Sequence, residues 1–154
     1  MTANDSDRLR SLLQSRSWQA NIVMIQGQTP LHNACLSYND EIVSVLLEYG
    51  ANPNALSNKK ETPTHWAVSK SDLNKLGYLS QYRANLNIQD EKGKTPLHWA
   101  VHFNSLPIVT FLVEHGAERK VCDNDGKTPL ELSRSKNEWE DVFSYLNSFE
   151  STQA

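Results

Sequence analysis

Cysteine is scarce in this sequence. Cys35 and Cys122 are the two present, and neither belongs to a CxxC pair. Two thiols make no disulfide framework, and no CxxC leaves no zinc or thioredoxin-like pattern. Both are expected to be reduced thiols. Long apolar runs are also missing. The run nearest the start is Ile22-Val23-Met24-Ile25, far short of the roughly 20 apolar residues a membrane helix needs and too short for a signal-peptide core. A cytoplasmic or nuclear protein with no membrane association is therefore expected. Basic charge is not in excess: 15 Lys and Arg stand against 18 Asp and Glu, net −3. Nucleic-acid binding usually rests on a basic field, so no nucleic-acid partner is expected. No phosphate loop, Ser-His-Asp set or paired-carboxylate motif stands out. The chain is expected not to be an enzyme and to carry no cofactor.

What is present is repetition. Thr-Pro-Leu-His stands at 29–32 and again at 95–98, with Thr-Pro-Thr-His at 62–65 and Thr-Pro-Leu-Glu at 128–131. Other segments keep the same phase: "EYGANPN" at 48–54 matches "QYRANLN" at 81–87 and "EHGAERK" at 114–120, and "DEKGK" at 90–94 matches "DNDGK" at 123–127. A fixed period indicates an array in which each repeat packs on its neighbours.

One repeat can be read physically. Thr95 caps free backbone N–H groups, and Pro96 suits the first helical position. A short helix, "PLHWAVHF", ends at Asn104 and Ser105, and small Ala100 lets a neighbouring helix come close. A second helix, "LPIVTFLVEH", sets Ile108, Val109, Phe111 and Leu112 at core spacing. Gly116 is the expected left-handed stop. The Asp-Asn-Asp-Gly at 123–126 is turn chemistry, so an extended finger with a turn at its tip closes the repeat.

These residues resemble the ankyrin-repeat family, whose pattern T-P-L-H-x-A has a period of about 33. Here it stands as "TPLHNA", "TPTHWA", "TPLHWA" and, weakened, "TPLELS". The resemblance implies an all-α ankyrin-repeat solenoid of helix-turn-helix repeats joined by β-hairpin-like fingers. The phase divides the chain into an N-terminal capping half-repeat (1–28), repeats at 29–61, 62–94 and 95–127, and a C-terminal capping repeat with a tail (128–154). Leu12, Leu13 and Asn21 fall where Val45, Leu46 and Asn54 fall one repeat later, which makes the N-terminal segment the second helix of a degenerate cap.

Departures from the pattern also carry expectations. Thr64 replaces a leucine, Arg83 replaces the stop glycine, and Gly77 lies inside a helix, so the second repeat is expected to be the softest internal one. Tyr38, Ser71, Asn104 and Asn137 replace the glycine between the two helices. Asparagine tolerates positive φ, whereas tyrosine and serine adopt it less readily, so the first of these turns is expected to differ in shape.

Candidate chemistry is thin. His98 and His102 form an HxxxH pair, but residue 99 is Trp, where a zincin needs Glu, and no third ligand is apparent. The resemblance implies that His32, His65 and His98 are structural and bond near a neighbouring finger. Trp66 and Trp99 share one position and read as packing residues, as partly exposed anchors, or as both. Cys35 holds a small-residue core position, where thiols are inert. Asn21, Asn54 and Asn87, each with a leucine eight residues earlier, resemble the pattern used by the asparaginyl hydroxylase of ankyrin repeats.

The resemblance further implies a protein partner met by finger tips and by the exposed face of the first helices. From the tips it draws Gln26, Gln28, Asn58, Lys59, Glu61, Glu91, Lys92, Lys94, Asn124, Asp125 and Lys127. From the helices it draws Leu36, Ser37, Ser69, Lys70, His102, Phe103, Ser135 and Lys136. Residues 62–94 hold five basic and three acidic side chains, net +2, which suits a partner with an acidic segment. The expected function is an adaptor, inhibitor or scaffold, monomeric by itself. Two narrower readings are an inhibitor like IκB and the recruiting domain of a larger enzyme such as a palmitoyltransferase, whose repeats resemble "THWAV" and "LHWAV".

Overall fold

The computed structural model describes residues 5–134 and 139–150, without the side chains of Ser17 and Trp18. Among the described residues the chain is all-helical, with nine α-helices and no strand. They are α1 (Asp5–Ser15), α2 (Pro30–Leu36), α3 (Glu41–Glu48), α4 (Pro63–Ser69), α5 (Leu73–Gln81), α6 (Pro96–His102), α7 (Leu106–Glu114), α8 (Pro129–Arg134) and α9 (Glu140–Ser148). None of these is long and apolar enough to cross a membrane. Asn137, Ser135 and Lys136 lie outside the described residues.

The chain forms two compact units, Met1–Asn85 and Leu86–Ala154. In the first, the inner helices α2 and α4 pack on each other, and the outer helix α3 packs between α1 and α5. In the second, α6 packs on α8 and α7, and α9 packs on α7 and α8. Leu31, Ala34, Val43, Leu46, Ala67 and Leu79 form the core of the first unit; Leu97, Ala100, Ile108, Leu112, Val142 and Leu146 form that of the second.

Each inner helix begins as the sequence dictates. Thr29, Thr62 and Thr95 are extended N-caps followed by proline, and the histidine three residues on completes a reciprocal capping box. In the last repeat Glu131 replaces this histidine and keeps the cap: its Oε2 accepts from Thr128 N–H at 2.8 Å and from Thr128 Oγ1 at 2.9 Å. Those bonds hold the Glu131 carboxyl below its ordinary pKa, the backbone bond being the larger cause.

Three outer helices, α3, α5 and α7, end on a left-handed residue. Gly50 (φ 84), Arg83 (φ 59) and Gly116 (φ 95) hold equivalent places. The next residue donates back to the helix each time, as Ala51 N–H to Leu46 C=O and Ala84 N–H to Leu79 C=O, both at 2.9 Å. Arg83 thus adopts the glycine conformation at a steric cost of about 1–2 kcal/mol. The first turn between helices differs as expected, whereas Ser71 takes the left-handed conformation that serine is expected to adopt less readily. Ser71 (φ 52) and Asn104 (φ 51) are left-handed, whereas α2 ends on an extended Ser37 (ψ 164) and leaves Tyr38 fully exposed.

Two sequence expectations are corrected. Phe111 is half-buried rather than core, because it stacks on His115 at 3.9 Å on the outer surface. Leu12 is 62% exposed although its counterpart Val45 is buried: α3 packs on both α1 and α5, whereas α1 packs on α3.

The second repeat carries three local costs. Thr64 is buried with its hydroxyl unpartnered, Arg83 is left-handed, and Gly77 sits in α5 with nothing within 4 Å of an added Cβ. Gly77→Ala is expected to add about 1 kcal/mol. Arg83→Gly gains less, roughly 0.5–1 kcal/mol, because glycine also frees the unfolded chain. Urea denaturation of the two variants and their combination checks both values, which should add.

Candidate functional site

The fingers are held by short, specific hydrogen bonds rather than by strands. N–H groups of Met24, Ser57, Asp90 and Asp123 donate to the carbonyls of Gln28, Glu61, Lys94 and Lys127 at 2.7–2.9 Å. This closure needs a left-handed residue before its end. Gly93 and Gly126 supply it in two fingers, and Lys60 (φ 59) supplies it in another. Gly93 is doubly constrained, since an added Cβ would lie 2.7 Å from the Asn124 backbone nitrogen.

A side chain braces three of the four tips. Asp90 Oδ1 accepts from Lys92 and Lys94 N–H at 2.8 and 2.9 Å, and Asp123 Oδ1 from Asp125 and Lys127 N–H at 3.0 Å each. Ser57 Oγ does the same work for Lys59 and Glu61. Met24 holds that place in the first finger and offers no such acceptor. Neighbouring tips within a unit are also tied, by Asn58 N–H to Gln26 C=O (2.8 Å) and Asn124 N–H to Lys92 C=O (3.0 Å).

The repeat histidines connect this framework to the helices. Thr29 N–H donates to His32 Nδ1 at 3.1 Å, so Nδ1 is an acceptor and the ring proton is on Nε2, which donates to Glu61 C=O at 3.0 Å. His98 repeats the pattern, receiving from Thr95 N–H at 3.1 Å and donating to Lys127 C=O at 3.0 Å. His65 accepts from Thr62 N–H in the same way. Both nitrogens of His98 are therefore spent on the protein, while His102 is exposed and stands edge-on to Phe103 and Trp139. Among the described residues no group of three or more His, Cys, Asp or Glu is placed to hold a metal ion.

Burial lowers the pKa of His32 and His98 from the ordinary 6.5, against the opposing pull of the Glu61 and Lys127 carbonyls. Below pH 6.5 the unfolded chain takes up protons that the native histidines refuse. Stability should then fall as pH drops, by up to about 1.4 kcal/mol per pH unit for each histidine, until the native values are reached. Urea midpoints between pH 7.5 and 5 measure this slope, and a flat profile would contradict the neutral assignment.

In the first unit the expected residues converge. Gln26, Gln28, Asn58, Lys59 and Glu61 line a groove of about 320 Å³ together with Ser57 and Trp66. Trp66 is half-buried, edge-on to His32 at 5.2 Å, and donates through Nε1 to Glu61 Oε2 at 2.8 Å. Leu36 and Lys70 are exposed on the inner helices. Ser37 and Ser69 turn their hydroxyls back to Ala34 and Trp66 carbonyls at 2.8 and 2.7 Å.

In the second unit Glu91, Lys92, Asp125 and Lys127 are exposed and Lys94 is half-buried. Asn124 is exposed too, but its carboxamide already donates to Glu91 C=O at 3.0 Å. Phe103 is 46% exposed and edge-on to Trp99 at 6.2 Å, whose Nε1 donates to Asp90 Oδ2 at 2.9 Å. The sequence reading missed Trp139, which is buried beside His102. Its lone place in a charged stretch gave no periodic signal.

Cys35 is buried, which pushes its thiol up to about 12, and Cys122 is an exposed free thiol. Asn21 accepts from Asn52 N–H at 2.6 Å, Asn54 from Asn85 N–H at 2.7 Å and Asn87 from Glu118 N–H at 2.8 Å, so each carboxamide ties one repeat to the next.

Comparison with curated proteins gives no match. A family model described as ankyrin repeats (3 copies) matches residues 1–90 and 76–150. The match spans the Thr-Pro caps, bridging histidines and left-handed helix stops described above, and the chain belongs to the ankyrin-repeat family.

Proposed function

We propose that this chain is a non-catalytic protein-binding module acting as an adaptor, inhibitor or scaffold in the cytoplasm or nucleus. Ankyrin repeats are generally protein–protein interaction modules. The observation that carries the reading is the groove of the first unit, where five finger residues chosen from the sequence meet beside a half-buried tryptophan. Fixed amide and carboxylate groups around an aromatic floor suit a polypeptide partner, and tryptophan is enriched where interfaces concentrate their energy. Phe103 gives the second unit its own apolar anchor. The helical backbone groups and histidines are consumed by internal bonds, which leaves side chains at the tips to recognise the partner.

Lys59, Lys70 and Lys92 are exposed, whereas Lys75 is buried against carboxylates. The exposed lysines favour an acidic segment. Affinity capture with mass spectrometry, run with wild type, Phe103→Ala and Lys92→Glu, tests the reading. A partner held by wild type should be depleted from both variants. Retention of every partner by both would reject this surface. Binding should also weaken as salt is raised.

A further inference from the structure

The second unit departs from the period at four places that come together in pairs. Arg119 keeps the phase of Ala20, Pro53 and Leu86, none of them exposed, and Arg134 keeps the phase of Cys35, Val68 and Val101, all buried. Phe149 takes the place of the helix stops Gly50, Arg83 and Gly116, and Phe143 that of Ser44, Gly77 and Thr110. The Arg119 guanidinium lies over the Phe149 ring, 4.2 Å from its centre, and that of Arg134 lies 5.5 Å from the centre of Phe143. The negative face of an aromatic ring holds a guanidinium in this way. Neither arginine makes an ion pair among the described residues. Both line one pocket of about 430 Å³, a size that suits a small ligand. Lys120 adds a third cation, and Leu130 and Leu146 supply carbon walls. Glu131 and Glu150 line it too, but Glu131 Oε2 is spent on the Thr128 cap at 2.8 and 2.9 Å. Positive charge therefore leads in the pocket although the chain as a whole is negative.

We propose that this pocket binds a phosphate monoester, with Arg119 and Arg134 gripping the phosphoryl oxygens and Leu130 and Leu146 covering the organic group. The donors favour phosphate over carboxylate. A guanidinium presents a planar fork that matches two oxygens. One fork satisfies a carboxylate, whereas two forks beside an ammonium call for three oxygens and about two negative charges, which a phosphate monoester carries near neutral pH. A need for solubility alone does not account for the arrangement. Any polar side chain suits a surface facing water, and a lysine or glutamate would serve there without a ring beneath it. Here each fork has a phenylalanine under it and no carboxylate in front of it, which holds the charge ready for an anion from outside. The site stands whether or not the finger tips hold a protein partner.

Titration of the full chain with phenyl phosphate, followed by amide NMR, tests it. Wild type should saturate in the low millimolar range or below, with shifts gathered at residues 118–120, 128–134 and 146–150. Arg119→Gln and Arg134→Gln should each weaken binding by about tenfold or more. Arg119→Lys and Arg134→Lys should weaken it less, since lysine keeps the charge and loses the fork; they also carry the comparison if a glutamine variant fails to fold. Arg8→Gln, exposed on α1, should bind like wild type. Acetate and inorganic phosphate should both bind more weakly than phenyl phosphate, the first lacking the third oxygen and the second lacking the carbon that the leucines cover. A tyrosine-phosphorylated peptide, run beside phenyl phosphate, identifies the source of the ester: tighter binding of the peptide places it on a polypeptide, tighter binding of phenyl phosphate on a small molecule. Failure to saturate, shifts spread over the lysines of the whole chain, or arginine variants that bind like wild type would each overturn the proposal. So would equal binding of inorganic phosphate, which means an adventitious ion only.

Discussion

Lys75→Ala is expected to cost about 3 kcal/mol of folding stability, more than any surface lysine should. The side chain is 2% exposed, yet its ammonium has three acceptors: Asp72 Oδ2 at 2.8 Å, Asp40 Oδ1 at 3.3 Å and Ser37 C=O at 2.5 Å. The need for it begins at Tyr38. The first inter-helix turn takes no left-handed residue, so Ser37 stays extended, and the donor for its carbonyl comes from α5. Removing one member of a buried ion pair typically costs 3–5 kcal/mol. The lower end applies here because the Asp40 and Asp72 side chains are 30% and 21% exposed and can rehydrate. Lys75→Met, which keeps the aliphatic stem, should lose less. A loss below about 1 kcal/mol would reduce the cluster to an ordinary surface pair.

The pH dependence separates this cluster from the histidines. Burial opposes the Lys75 charge, but Asp72 and Asp40 outweigh it and hold the ammonium above its ordinary 10.5. Burial likewise opposes the Asp72 charge, and the bonds from Lys75 hold that carboxyl below its ordinary 3.8. A raised lysine stabilises below its unfolded value and stops doing so as pH rises through its folded value. A lowered carboxylate stabilises above its unfolded value and stops as pH falls through its folded one. The gap between wild type and Lys75→Ala should therefore stay constant from about pH 5 to 9, while both proteins lose stability together below pH 6.5.

His98→Ala is expected to cost about 4 kcal/mol. The ring is fully buried and serves three groups: Thr95 N–H, Thr95 Oγ1 at 2.9 Å and Lys127 C=O. Its loss orphans the buried Thr95 N–H, worth about 1–3 kcal/mol, takes one of two donors from Lys127 C=O, and leaves a cavity. His102→Ala, four residues on and exposed, should cost under about 1 kcal/mol. Chemical denaturation of the two variants measures the contrast. Equal losses would contradict the division of this histidine pair into one framework residue and one surface residue.

The features written in local chemistry were legible from the sequence. Thr-Pro fixed each inner-helix start because cap and first turn lie within three residues. Arg83 was legible as a left-handed stop because its position in the period allowed nothing else. The expected tip residues around the first groove recur at one phase of the period, which brings their two fingers side by side. Lys75 was not legible: its burial depends on a carbonyl 38 residues earlier, which no pattern local to α5 announces. Asp123 was legible as turn chemistry in Asp-Asn-Asp-Gly, and Asp90, at the same phase, braces its tip in the same way.

Hydrogen exchange on the chain with a captured partner bound tests the central claim most directly. The account predicts added protection at the finger tips, residues 57–61, 90–94 and 123–127, and at the C-terminal ends of α4 and α6, with α3, α5 and α7 unchanged. Protection confined to those outer helices would contradict it.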